Sequence, residues 1–421
     1  MAGLKRLGRG LLVLSLAMPA GLGPATATEE QPFDACAAAA ASQYETGFEE
    51  IGRESWEIDT DAAINACIAA LEDEPDSAQV KGWLGRAYFA AGDTDRAVPL
   101  FEEAAAAGNV VALAMLGDML TTGDGVAVDM ERGAQLLTQG AEAGFALAQN
   151  SLGLSYDFGE GLKQDYTQAA RWYRAAAEQG MSKAQSNLGL MYQEGLGVPR
   201  DYVAAAAWFE LAVAQGDASG QVNLGKLLQD GSGQPADPAR AAELYRLAAD
   251  QGDMYGQNNL GFLLENGLGV DTDLVAAAEL YRQAADQGLA LAQHNLALLY
   301  EDGRGVKQDY GRALELYRQA AEGGEMRAAV NLGLLHLDGL GTEVDYDEAI
   351  KWTQLAADSD QPIALNNLGH IYENGFGVTA DRDTAISYYQ QAADQGYQLA
   401  AENLARLTGP ATPSTGKTKT K

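Results

Sequence analysis

Histidine, cysteine and serine are the side chains with which proteins most often build metal sites and nucleophilic centres. This chain of 421 residues contains only three histidines, His294, His336 and His370, and two cysteines, Cys36 and Cys67. No His-Glu-x-x-His zinc pattern and no Gly-x-Ser-x-Gly nucleophile pattern is present. Carboxylates are plentiful, but many recur at fixed positions, which favours capping and surface roles. The residues therefore predict no enzyme, no metal site and no cofactor.

Paired glycines are the second feature that could form a binding site, because glycine-rich loops can bind phosphate groups. The pairs lie at Gly159/Gly161, Gly195/Gly197, Gly231/Gly233, Gly267/Gly269, Gly303/Gly305, Gly339/Gly341 and Gly375/Gly377. No strand pattern precedes any pair, and the third glycine of a dinucleotide loop is missing. The sequence therefore favours turns that need a positive φ, each joining two helices.

The glycine pairs belong to a pattern that repeats every 36 residues without insertion. Its leucines are Leu116, Leu152, Leu188, Leu224, Leu260, Leu296, Leu332, Leu368 and Leu404. Apolar residues spaced by four around each leucine predict one face of a first helix. An aspartate such as Asp165 or Asp237, four residues after the second glycine, is placed to cap a second helix. Such units form a linear array with an extended surface.

The consensus A-x-x-N-L-G-x-x-Y-x-x-G-x-G-V-x-x-D-x-x-x-A-x-x-W-x-x-x-A-A-x-x-G resembles the Sel1-like repeat, a relative of the tetratricopeptide repeat. The resemblance implies an all-α fold, a right-handed α-solenoid of helix-turn-helix repeats. It predicts eight Sel1-like repeats plus a capping helix over residues 109–407, preceded by tetratricopeptide-like helices over residues 28–108. At the boundary between the seventh and eighth units, Asp360 replaces the closing glycine and is followed by Pro362. We expect the array to bend differently there.

Residues 1–27 have the pattern of a secretory signal, with Lys5 and Arg6 before an apolar core and a cleavage site ending at Ala27. The sequence therefore predicts a periplasmic or secreted protein, and no later segment is apolar enough for membrane insertion. In an oxidising compartment Cys36 and Cys67 are expected to form a disulfide, the alternative being two reduced, buried residues. The order of repeats resembles that of exported α-proteobacterial proteins. Residues 408–421 predict a disordered tail.

The formal net charge of −31 disfavours nucleic acid as a partner. In tetratricopeptide-type arrays the first helix of each unit lines the concave side, so the resemblance implies a protein or peptide partner there. A cell-wall glycan is the alternative ligand.

The predicted contact residues are an asparagine row with neighbouring side chains. They are Asn187, Asn223, Asn259, Phe262, Asn295, Leu298, Asn331, Asn367 and His370. Amide groups beside an apolar stripe suit an extended segment, although an asparagine of the consensus can equally serve the fold. The sequence thus predicts an exported interaction scaffold or regulatory adaptor of the cell envelope. A cell-wall or β-lactam hydrolase and a passive structural envelope protein are the alternatives.

Overall fold

A computed structural model describes residues 31–48, 50, 52, 53 and 57–409. The predicted signal, residues 1–27, lies outside these residues, as does the tail from residue 410 onwards. The described secondary structure is helical throughout, and no helix among these residues has the length and apolar character needed to cross a bilayer. The chain divides into two compact units, one ending at Ala107 and the other beginning at Gly108.

The first unit contains two helix pairs. Its helices are α1 (Pro32–Ala40), α2 (Thr60–Asp73), α3 (Ala78–Ala90) and α4 (Thr94–Ala106). Cys36 on α1 and Cys67 on α2 form a disulfide across a Cα–Cα distance of 4.6 Å, and both are fully buried. The predicted disulfide is therefore confirmed. It joins two helices whose short alanine-rich sequences offer few large side chains to pack.

The segment between α1 and α2 has no helical periodicity and is held by buried polar groups from α3. The Arg86 guanidinium donates from Nη1 to the carbonyl oxygens of Ala40 and Ala41, at 2.9 and 2.8 Å. The indole Nε1 of Trp83 donates to Glu45 at 2.8 Å. These contacts satisfy backbone carbonyls and a carboxylate that would otherwise be costly to bury.

The second unit is a solenoid of alternating first and second helices, as the repeat pattern predicts. The first helices are α5 (Val110–Thr122), α7 (Ala146–Phe158), α9 (Ser182–Glu194), α11 (Ala218–Asp230), α13 (Met254–Asn266), α15 (Ala290–Asp302), α17 (Met326–Asp338), α19 (Pro362–Asn374) and α21 (Gln398–Thr408). The second helices are α6 (Met130–Glu142), α8 (Tyr166–Glu178), α10 (Tyr202–Ala214), α12 (Pro238–Asp250), α14 (Leu274–Asp286), α16 (Tyr310–Glu322), α18 (Tyr346–Asp358) and α20 (Arg382–Asp394). The predicted all-α fold class is confirmed.

The turn residues act as the spacing predicts. Gly159 ends α7 at φ 76°, a left-handed conformation that glycine adopts without steric cost. The Asp165 side chain then accepts hydrogen bonds from two backbone N–H groups at the start of α8. At the boundary before α19, Asp360 adopts φ 56° and is the only non-glycine residue with positive φ in the described part of the chain. The turn geometry is kept there at the expense of local strain.

Close packing within a unit depends on the glycine that follows the repeated leucine. A Cβ atom at Gly153 would lie 2.6 Å from the ring of Tyr173, which is buried against it. Glutamines join consecutive helices at the other end of the unit. Gln149 on α7 donates to the Ala141 carbonyl on α6 and accepts from Gln179, which caps α8, at 3.2 and 2.7 Å.

Contacts between neighbouring units differ on the two sides of the array. Successive first helices pack against each other at α5–α7, α9–α11 and α11–α13, whereas no pair of second helices in the described array does so to the same extent. The second helices are separated instead by clefts, of about 240 Å³ between α14 and α16 and about 400 Å³ between α18 and α20.

Candidate partner-binding face

One stripe of each first helix points away from the core. Its positions lie five before, one before, two after and six after the repeated leucine, so they fall on one side of the helix. On α13 the stripe consists of Tyr255, Asn259, Phe262 and Asn266. We call the stripes of the nine first helices, from α5 to α21, together the first-helix face.

The predicted contact residues all lie on this face, one or two from each first helix between α9 and α19. The six asparagines are half-buried, as is Leu298, whereas His370 and Phe262 are exposed. The structure therefore brings them onto one extended surface and does not gather them into a single pocket.

Several of these asparagines are engaged within the array. In three places an amide Nδ2 donates to the Oδ1 of an asparagine on the preceding first helix. The links run from Asn187 to Asn150, from Asn295 to Asn258 and from Asn403 to Asn366, at 3.1, 3.0 and 3.0 Å. Each link joins first helices of neighbouring units, and the links recur at every third unit. These amides contribute to the fold.

A second network lies beneath the asparagine row. Buried tyrosines of the second helices donate to carboxylates of the first helices, as Tyr281 does to Glu265 at 2.7 Å and Tyr317 to Glu301 at 2.6 Å. Burial, together with the adjacent carboxylate, raises the pKa of Tyr281 and of Tyr317 above the usual value. The Asn331 side chain lies close enough to act in the opposite direction on the pKa of Tyr317. The row and the core are therefore connected.

The network is interrupted before α19. Thr353 stands at the tyrosine position and Leu337 at the carboxylate position of that unit. The Asn367 amide Nδ2 on α19 is buried without a hydrogen-bond partner among the described residues. Nearby, Tyr346 stacks on Phe376 with ring centroids 5.5 Å apart, and His370 meets the edge of Phe376 at 5.6 Å.

A preformed cleft opens on the first-helix face between α7 and α9. It measures about 350 Å³ and is lined by Asp157, Phe158, Gln164, Tyr166, Asn187, Leu190, Met191, Glu194 and Leu196. Its walls are fixed by hydrogen bonds: Gln164 Nε2 donates to the Asp157 carbonyl at 2.7 Å and to the Tyr166 hydroxyl at 3.0 Å. Of the residues predicted from the sequence, Asn187 alone lines this cleft.

Phe158 is the residue of this cleft that the sequence argument missed. Its side chain is 67% exposed at the end of α7. The equivalent positions of the other units carry Thr122, Glu194, Asp230, Asn266, Asp302, Asp338 and Asn374. The signal was available in the sequence, because Phe158 is the one apolar residue at a position that is otherwise polar.

A carboxylate with an altered pKa was also missed. Asp118 on α5 is half-buried, and burial raises its pKa to about 6 although the Ser151 hydroxyl and the Lys183 ammonium act in the opposite direction. These residues come from α5, α7 and α9, so three neighbouring first helices contribute to one polar cluster. All three lie on the first-helix face.

The histidines occupy separate environments. His294 is 5% exposed, its Nδ1 has no partner among the described residues, and burial lowers its pKa to about 4. His336 is 4% exposed and neither of its ring nitrogens has such a partner. No group of three or more histidine, cysteine, aspartate or glutamate side chains in the described part of the chain is arranged to hold a metal ion.

The helical hairpins, glycine turns and shared core define an α-solenoid of the tetratricopeptide class. The family model described as Sel1 repeat matches residues 110–145, 146–181, 182–217, 218–253, 255–289, 290–325, 327–361 and 362–397. A tetratricopeptide repeat model matches residues 59–110. The chain belongs to the Sel1 repeat family, whose repeats generally mediate protein–protein interaction.

Two solved structures are similar over most of the chain. A protective antigen of uropathogenic Escherichia coli with an SLR fold is 29% identical, covers 82% of this chain and 82% of its own, and superposes with a TM-score of 0.55. A Sel1 repeat protein from Oxalobacter formigenes is 30% identical, with coverage of 73% and 89% and a TM-score of 0.53. No curated protein matches the chain.

Proposed function

We propose that this protein is an exported interaction scaffold or regulatory adaptor of the bacterial cell envelope, which holds a segment of a partner protein on its first-helix face. The observation that carries the proposal is that this face combines exposed apolar side chains with a row of half-buried asparagine amides. The apolar side chains include Phe158, Tyr255, Phe262 and Ile363. Exposed apolar groups beside polar ones are typical of interaction sites.

The placement of apolar and amide groups on one side of the same helix suits an extended or helical segment. Asn259 and Phe262 lie three residues apart on α13 and therefore share one side of the helix. Half-buried amides beside them offer hydrogen bonds to a partner backbone, and the fixed helices avoid much of the entropy cost of ordering a loop. These features support the predicted contacts at Asn187, Asn223, Asn295 and the other members of the row.

Export is supported by two features of the chain. The signal-like residues 1–27 begin it, and a buried disulfide of the kind that forms in oxidising compartments joins Cys36 and Cys67. Fusing residues 1–27 to an alkaline phosphatase that is active only after export tests this part. We expect phosphatase activity in the periplasm. A fusion protein that stays in the cytoplasm, uncleaved and without phosphatase activity, would contradict export.

Partner capture tests the binding part. The mature chain and an Asn259→Ala/Asn295→Ala/Phe262→Ala variant are each used to capture proteins from a periplasmic extract. Val275→Ala serves as a control, because Val275 is an exposed apolar residue on a second helix. We expect the triple variant alone to lose specific partners. Identical partner lists from all three proteins would show that the first-helix face does not bind.

A further inference from the structure

The cleft between α7 and α9 has both a charge and a shape that select a ligand. We propose that it receives an arginine or lysine side chain from an extended segment of the partner protein. This inference rests on the proposed function and makes it specific, because it names the residue type that the first-helix face recognises.

Phe158 gives the first reason. The repeat does not require an aromatic residue there, since the unit containing α15 has the same framework with Asp302 in its place. In that unit Gln308 donates to the Glu301 carbonyl at 2.8 Å and to the Tyr310 hydroxyl at 3.0 Å, as Gln164 does beside the cleft. Because the framework forms without the phenyl ring, the fold does not explain why an exposed ring stands at this position.

The charge of the lining gives the second reason. Asp157 and Glu194 are the charged side chains that line the cleft, and neither forms an ion pair with a lysine or arginine within the described residues. Asp157 accepts a hydrogen bond from Tyr173 at 3.1 Å, yet burial raises the pKa of this carboxyl above its ordinary value. A carboxylate that is partly removed from water and lacks a counterion is stabilised by an incoming cation.

The apolar lining suits the rest of a basic side chain. Phe158, Leu190, Met191 and Leu196 present apolar surface beside the two carboxylates. Arginine and lysine carry an aliphatic stem that packs on such surfaces while the charged end remains with its counterion. The rings of Phe158 and Tyr166 also offer faces to a cation. An acidic or wholly apolar side chain would satisfy only part of this lining.

The cleft is rigid enough to act without rearrangement. Gln164 fixes Tyr166, and Asn187 is held by Asn150 at 3.1 Å. A preformed site requires little ordering on binding, so a single inserted side chain retains more of its interaction energy. The partner's charge also complements the acidic chain as a whole, whose net charge is −31.

Selection from a phage-displayed library of random dodecapeptides on the full chain tests the proposal. We expect the enriched peptides to share an arginine or lysine. One such peptide should bind at least about tenfold more weakly to Phe158→Asn and to Asp157→Asn, by calorimetry, than to the unmodified chain. Replacing its basic residue by glutamine should weaken binding similarly.

The Phe158→Asn variant is chosen to leave the fold intact. Asparagine occupies the position of Phe158 in two other units, at Asn266 and Asn374. Val275→Asn is the matched control, because Val275 is 68% exposed on α14, away from the first-helix face. We expect this control to bind the peptide with unchanged affinity.

Three results would overturn the assignment: enriched peptides without a basic residue, equal affinity of Phe158→Asn and the unmodified chain, or a dimer that depends on Phe158. Binding that is lost in Phe262→Ala but not in Phe158→Asn would overturn this inference and leave the proposed function standing. If no peptide is enriched, the proposal that the cleft binds a basic side chain is also rejected. The proposed function would then fail only if the capture experiment likewise gave identical partner lists.

Discussion

Replacing His336 by tyrosine should strengthen the array. His336 lies on α17, and both of its ring nitrogens are buried without a partner among the described residues. Leaving a buried polar group unsatisfied costs roughly 1–3 kcal/mol. Four other first helices have tyrosine at this position: Tyr156, Tyr192, Tyr300 and Tyr372. Tyr192 accepts a hydrogen bond from Arg174 at 2.5 Å, and Arg318 is the residue equivalent to Arg174 beside His336.

The expected gain is therefore about 1–2 kcal/mol in the free energy of local opening, which slows amide hydrogen exchange by a factor of roughly 5–30. Exchange in peptides from α17 and α18 is the appropriate measurement, because an array of repeats opens locally and need not unfold as one unit. Tyr192→His is the reciprocal control. It should accelerate exchange around α9 by a comparable factor.

The gain should grow in mild acid. Burial lowers the pKa of His336 below its ordinary value of 6.5, so the folded state favours the neutral ring. The stability due to this preference is complete above about pH 6.5 and is lost as the pH falls below it. The difference between His336→Tyr and the unmodified chain should therefore be larger at pH 5.5 than at pH 7.5. Equal exchange in the two proteins at both pH values would refute the reasoning.

Three further changes test the other networks. Burial lowers the pKa of His294 to about 4, so we expect the unmodified chain to lose about 3 kcal/mol of local stability between pH 6.5 and 4. His294→Asn should remove this loss, because asparagine does not titrate and can accept a hydrogen bond from Asn331 across the unit boundary. Unchanged acid sensitivity of amide exchange in the variant would contradict this. Tyr281→Phe removes the 2.7 Å hydrogen bond to Glu265, which keeps its ion pair with Arg304, and should cost roughly 1–3 kcal/mol. In a double-mutant cycle the cost should be smaller in a Glu265→Ala background, because the acceptor is already absent there. Additive effects would show that the two residues do not interact. Breaking the disulfide, which spans 31 residues, by alanine substitution of both cysteines should destabilise the first unit by roughly 3–4 kcal/mol in thermal unfolding, whereas exchange in the array should not change.

Most of the fold could be predicted from the sequence because each unit repeats the same local rules. The glycine at Gly159 and the aspartate at Asp165 end one helix and begin the next, and both act as their spacing indicates. The segment between α1 and α2 could not be placed in this way. Its position depends on Arg86 and Trp83, which lie more than 30 residues away in sequence.

The candidate site was only partly accessible to the same reasoning. A consensus position identifies a surface but does not show which side chains are already engaged, as the Asn187–Asn150 link illustrates. Phe158 departs from a polar position of the repeat, so the sequence alone marks it as unusual, but the structure is needed to show that its ring is exposed beside a cleft. The sequence gives no such signal for Asp118, because the altered pKa depends on burial.

The asparagine links recur at every third boundary, and this spacing affects the elasticity of the array. They join α7 to α9, α13 to α15 and α19 to α21. At the boundaries between them the acceptor position holds Ser186, Val222, His294 or Val330. Val222→Asn and Val330→Asn would supply the missing acceptor at two of these boundaries, so we expect a higher force to be needed to extend a single molecule of that variant. The stiffness of the solenoid would then depend on how many boundaries carry the link, and its curvature could change without unfolding a helix.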